Sequence, residues 1–283
     1  MSNKWFVCSL LGLMVACSGG DTPTEGSTTE KKPAVETPAK KLKKLDLASL
    51  EKAAESVALV PSPAEMQKSL KNAGLTSDLS SLVSADRDIS MAVEDKDNLA
   101  VRTGVVLADL VLTVKTSSKE SKLARLDKLK AGFKALGAGD DIQATITDLG
   151  TQITNDAINE DDLLKEMDEL SGVMVSELEY EAGEWVVPLI QAGSWLEGAN
   201  LVSAAIIKEE KFDVAGQLLR QPRVVEYFLT YVEREGRSKA PDQVVKKLTE
   251  VLNNLKTIAE KPSMSAEDVK GINSSTSEVL SML

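Results

Sequence analysis

The chain has 283 residues, a formal net charge of −11 at neutral pH, no histidine and two cysteines. An acidic surface repels nucleic-acid phosphates, which excludes that partner class. Without histidine the chain lacks the commonest general base, the usual serine and cysteine triads and most zinc-site chemistry, so no catalytic residue, metal or cofactor is assigned.

Chain order begins with an export signal. Lys4 precedes an apolar stretch from Trp5 to Ala16, and small residues follow. About a dozen apolar residues are too few to cross a hydrocarbon core of roughly 30 Å as a helix. Residues 1–16 therefore read as a cleaved signal peptide, and Cys8 leaves with it. The run Leu13-Met14-Val15-Ala16-Cys17-Ser18-Gly19-Gly20 resembles the lipobox of bacterial lipoproteins, with Met14 standing where leucine is more common. The resemblance implies that Cys17 carries a thioether-linked diacylglycerol and an amide-linked fatty acid such as palmitate, which tether the chain to a membrane. It also implies that Ser18, rather than Asp, directs the product to the periplasmic face of the outer membrane. Each buried methylene contributes about 0.8 kcal/mol, so several chains together hold firmly. With Cys17 blocked no disulfide can form, although the exported compartment permits one.

Residues 17–44 read as the acylated cysteine and a disordered tether. From Ser18 to about Lys44 the chain is rich in Thr, Pro, Glu, Lys and Gly, and buries too little apolar surface to offset its ordering entropy. A coil of about 27 residues spans on the order of 30 Å. Lys40, Lys41, Lys43 and Lys44 close the tether. They either rest on anionic headgroups, at about 1 kcal/mol per charge, or stay solvated, which is the simpler reading. Signal removal takes Lys4, and the tether holds six lysines against four acids, so the folded part from Leu45 on carries a net charge near −14. Such a domain does not lie flat on anionic lipid.

Residues 45–283 are expected to form one all-α soluble domain, a multi-helix bundle. Ser62-Pro63-Ala64-Glu65 is a capping box, and Gly74 stops the helix it opens. Val105 to Leu112 is apolar all round except for Asp109, the pattern of a helix at the centre of a bundle. Ser117 with Glu120 opens the next helix, whose Leu123, Leu126, Leu129, Phe133 and Leu136 recur every three or four residues before Gly137 ends it. Ile142, Ile146, Leu149 and Ile153 form another stripe. Asn159 starts a helix with Glu160, Asp161 and Asp162 in its first turn, where the dipole favours them, and Leu163, Leu164, Met167, Leu170, Met174 and Leu178 on its buried face. Trp185 to Ile207 is mostly apolar, punctuated by Pro188, Gly193 and Gly198, and too polar in its middle to span a membrane. Pro222 opens a short helix carrying Tyr227, Phe228 and Tyr231. Val244, Val245, Leu248, Val251, Leu252, Leu255 and Ile258 mark the clearest amphipathic helix, and a last one starts at Ser265 with Asp268. No alternating strand pattern and no fixed-period repeat is visible.

The candidate ligand-binding residues are Asp109, Trp195, Glu197 and Asn200. A buried lone carboxylate at Asp109 is costly without a partner. Glu197 and Asn200 lie three apart, Gly193 sits one turn before Glu197, and glycine lets a backbone or ligand approach closely. A ligand groove between the Asp109 and Trp195 segments is one reading. Tight helix packing with internal hydrogen bonds is the simpler one. Val105 to Leu112 and Ala192 to Gly198 resemble segments of uncharacterised helical lipoproteins of Bacteroidetes, which implies a helical fold and lends no activity.

The acids from Asp156 to Glu169 lack the central glycine and alternating ligands of a calcium loop. Glu177, Glu179, Glu181 and Glu184 suggest paired carboxylates for glycoside hydrolysis, though a solvated helix end fits them better. The preferred expectation is a membrane-anchored envelope lipoprotein whose helical domain is a non-enzymatic interaction or scaffold module with a protein partner. A tethered small-ligand receptor is the alternative, and a carboxylate-based hydrolase comes third.

Overall fold

The computed structural model describes residues 60–84, 87–167, 178, 182–234 and 240–283. The signal, Cys17 and the tether lie outside them, as do Leu170, Met174, Glu177, Glu179 and Glu181. The described residues form an all-α bundle with no strand among them. In chain order come α1 (Pro63–Asn72), a 3-10 turn (Leu79–Leu82), α2 (Lys96–Thr113), α3 (Lys119–Leu136) and α4 (Asp140–Thr154). Then follow α5 (Val186–Glu209), the short α6 (Ala215–Leu219), α7 (Pro222–Val232), α8 (Gln243–Ala259) and α9 (Ala266–Leu280). Residues 160–167 are helical as well.

Local chemistry sets most of these boundaries. At α1 the Ser62 Oγ accepts from the Glu65 amide at 3.2 Å, and the Ser62 amide donates back to Glu65 Oε2 at 2.8 Å. The same reciprocal pair, Ser265 with Asp268, opens α9. Two orphan amides are satisfied at each start. Gly137 ends α3 at φ +105°, a left-handed conformation that strains any side chain. One boundary differs by a residue from expectation. The cap of α3 is Ser118, not Ser117. Ser117 instead donates its hydroxyl to the Thr113 carbonyl at 2.8 Å, satisfying an open end of α2.

The centre of the bundle is the pair α2 and α5. Every residue of α2 from Asp97 to Leu110 is buried, so the all-round apolar pattern does mark a central helix. The 24-residue α5 runs unbroken through Pro188, Gly193 and Gly198. Pro188 falls in its first turn, where an amide has no intrahelical partner to lose. The glycines serve packing. A Cβ on Gly193 would lie 2.0 Å from the Val101 carbonyl oxygen, and one on Gly104 1.9 Å from that of Ile190. The backbones of α2 and α5 therefore touch. On the other side of α5, a Cβ on Gly198 would lie 2.1 Å from the Met66 sulfur of α1. Gly193→Ala should lower stability by about 1–3 kcal/mol, the range for overpacking a tight contact, despite alanine's better helix propensity. Urea unfolding followed by circular dichroism measures it.

Candidate functional site

Close contact at Gly104 and Gly193 brings the segments that follow each glycine together, and with them Asp109 of α2 and Glu197 of α5. The third member is Arg87, from the irregular segment that leads into α2. That segment lies against the helices as a strap. Ile89 is buried in the core, Asp88 pairs outward with Lys128 of α3, and the Ser90 carbonyl accepts from Arg102 of α2 at 3.1 Å. Asp95 then caps α2 by accepting from the Asn98 amide at 2.8 Å.

The Arg87 guanidinium spans both carboxyls. Its Nη2 donates to Asp109 Oδ1 at 2.8 Å and Oδ2 at 2.9 Å, and its Nη1 donates to Glu197 Oε2 at 2.8 Å. Glu197 Oε1 is 2.7 Å from Nη2, but the angle does not make a hydrogen bond, and Arg87 Nε is also without an acceptor. The side chains of Arg87, Asp109 and Glu197 are 15 %, 7 % and 1 % exposed. One cation thus faces two carboxyls in a medium that penalises net charge, and one proton makes the cluster neutral.

Burial favours that proton on Glu197. Burial pushes its carboxyl up to about 7, and the Asp109 charge and their shared hydrogen bond add to that, while Arg87 pulls the other way. Burial raises Asp109 as well, with Arg87 and the charge of Arg125 drawing it back. For Arg87 burial opposes the charge, yet its two carboxyl partners more than offset this and raise its pKa.

The structure brings together two of the four sequence-derived site residues. Asp109 and Glu197 meet, but around Arg87 rather than an open cavity. Trp195 turns to α7, its ring 5.6 Å from Phe228 and its indole N–H donating to Gln221 Oε1 at 2.8 Å. Asn200 ties α5 to α9, donating to Thr276 Oγ1 at 3.0 Å and Ser277 Oγ at 2.7 Å, while Asn273 returns a bond to its carbonyl at 3.1 Å. These two polar groups join neighbouring helices.

No protein-family model, curated protein or solved structure matches the chain.

Arg87 is the residue that sequence reasoning missed. Its segment has no periodicity, and the available signal was indirect: a carboxylate in an apolar helix demands a cation, preferably an arginine that can bridge two acids. The acids weighed for calcium face lysines instead. Lys115 pairs with Asp161, Lys119 with Asp156 at 2.7 Å, and Lys122 with Glu160 at 2.9 Å. Nor does the Asp109–Glu197 pair have the geometry for glycoside hydrolysis. The Arg87 guanidinium bonds both carboxyls and fills the space between them that a sugar or an attacking water would need.

Proposed function

We propose that this protein is a lipid-anchored lipoprotein of the cell envelope whose helical bundle is a non-enzymatic interaction or scaffold module. The observation that carries the non-enzymatic part is the closure of the charge cluster. The two carboxyls best suited to acid–base work, Asp109 and Glu197, are buried and bound to Arg87, so a substrate has no approach to them. Their role is to join the strap, α2 and α5 into one unit. The anchor rests on Lys4, the apolar run to Ala16 and the lipobox-like residues through Cys17.

The surface supports a polar interface with the partner. Met282 is the one exposed large hydrophobic side chain among the described residues, and the domain is strongly acidic. Contacts with a protein partner would then be polar and electrostatic, sensitive to salt, and made with a basic face. Such a contact suits the inner face of an outer membrane, where the tether leaves the bundle free to search.

Replacing Cys17 by alanine tests the anchor. The variant should move from the membrane fraction to the soluble fraction, and mass spectrometry of the parent should find acyl chains on its first residue. An unmodified N-terminus in the parent, or unchanged fractionation of the variant, sinks the reading. Hydrolase or transferase turnover by the purified soluble part would sink its non-enzymatic half.

A further inference from the structure

The strap that carries Arg87 is fastened differently from the helices around it. Among the described residues no backbone–backbone hydrogen bond joins residues 87–94 to another element. Side chains hold it instead: Ile89 in the core, Arg87 on the two carboxyls, Arg102 on the Ser90 carbonyl, and Lys128 on Asp88. The last is a surface pair, with Asp88 90 % exposed, and adds little. A segment with so few backbone bonds opens at less cost than a packed helix.

Arg87 is also the most exposed member of its cluster, whereas Glu197 is almost wholly buried and is paired with no other cation among the described residues. Lifting Arg87 therefore brings water to Glu197. The charged groups facing this carboxyl are Arg87 of the strap and Asp109 of α2, with Arg125 of α3 acting on Asp109. Other elements packed on α5 bring neutral groups to this stretch. Met66 of α1 lies against Gly198, Gln221 bonds Trp195, and Asn273, Thr276 and Ser277 of α9 meet Asn200.

We propose that the strap is a proton-operated latch, closed over α2 and α5 while Glu197 is protonated and released at residues 87–90 when Glu197 ionises. The closed cluster sets one cation against two carboxyls, so a proton leaves it neutral and loss of that proton leaves a buried net charge. Opening relieves the charge by admitting water. The direction follows from linkage: burial holds the closed carboxyl at about 7, and in water it returns toward the usual 4.5. Closure is complete below 4.5 and is lost as pH rises through 7. The open latch adds two ionised carboxylates to an acidic surface and uncovers the seat of Ile89. It needs neither the lipid anchor nor a partner.

Thiol labelling of the full chain, read by mass spectrometry, tests it with one buried reporter per variant. Ile89→Cys reports on the strap, and Leu248→Cys, in the core face of α8, reports on unfolding of the whole bundle. Each rate is divided by that of free cysteine at the same pH, which removes the thiolate's own dependence. Between pH 5 and pH 8 the strap thiol should lose protection by at least about tenfold. At each pH it should stay less protected than the α8 thiol. Low urea should accelerate only the α8 thiol, because a local opening exposes little surface. Glu197→Gln should abolish the pH dependence, and Asp109→Asn, which leaves one carboxylate for one cation, should move it to lower pH. Equal protection of the strap thiol at pH 5 and pH 8, or an unchanged pH dependence in either cluster variant, would overturn the proposal. Equal protection and equal urea dependence at the two positions would overturn it as well, since the bundle would then open only as a whole.

Discussion

Arg87→Met should destabilise the bundle by about 3–5 kcal/mol, the range for breaking a buried ion cluster by removing one partner. The loss exceeds that of a surface arginine because Asp109 and Glu197 stay behind, buried, with no cation to balance them. Part of it arises from the strap, which loses its hold on α2 and α5. Lysine should rescue poorly, since one ammonium cannot reproduce the two-armed contact to both acids. The triple variant Arg87→Met, Asp109→Leu, Glu197→Met should recover most of the loss, because removing all the charges removes the desolvation penalty with them. Urea unfolding of the four proteins, followed by circular dichroism, measures each step. A single variant within about 0.5 kcal/mol of the parent would show that Arg87 holds nothing, since that is the spread of ordinary surface substitutions.

Stability should fall as pH rises from about 5 to 8, by on the order of 3 kcal/mol, through Glu197. The folded protein holds a proton on Glu197 up to about pH 7, whereas the unfolded chain releases it near the usual value of 4.5. Between those limits the folded state binds more protons than the unfolded one. The stabilisation is complete below 4.5 and lost as pH rises through 7. The raised Asp109 acts in the same direction. At the acid end the slope reverses: hydrogen bonds from Ser77 hold Glu209, and Lys261 holds Asp268, at about 2, so their contribution disappears as pH falls from about 4 toward 2. Maximum stability is expected near pH 4–5, unusually low for a folded domain. The chain has no histidine, so no ordinary side chain blurs the window from 5 to 8. Glu197→Gln, which keeps a donor for Asp109 but cannot ionise, should flatten most of the slope. A parent protein whose melting temperature is the same at pH 5 and pH 8 would rule out a proton on Glu197.

The helices were legible because their signals are local. Capping boxes at Ser62 and Ser265, the stripe from Val244 to Ile258 and the glycine stop at Gly137 each act within a turn or two of chain. The site was legible only in part. Asp109 stood out because an acid inside an apolar stretch has to be explained, and Glu197 because it lies one turn after Gly193. Trp195 was grouped with Glu197, yet two residues of helix turn the side chain by about 200°, toward a different neighbour. Asn200 lies nearer to the Glu197 face, but the packing of α9 against α5 gives it Thr276 and Ser277 as partners.

Composition and periodicity determined by themselves that the folded part is a helical bundle and that Asp109 sits at its centre, because apolar spacing and caps are properties of neighbouring residues. Only tertiary structure decided that Gly104 and Gly193 press two backbones together and that Arg87 reaches in from an aperiodic strap to hold Asp109 and Glu197. Arg87 and Glu197 are 110 residues apart. A contact across that separation is set by how the helices cross, and local sequence carries no record of it.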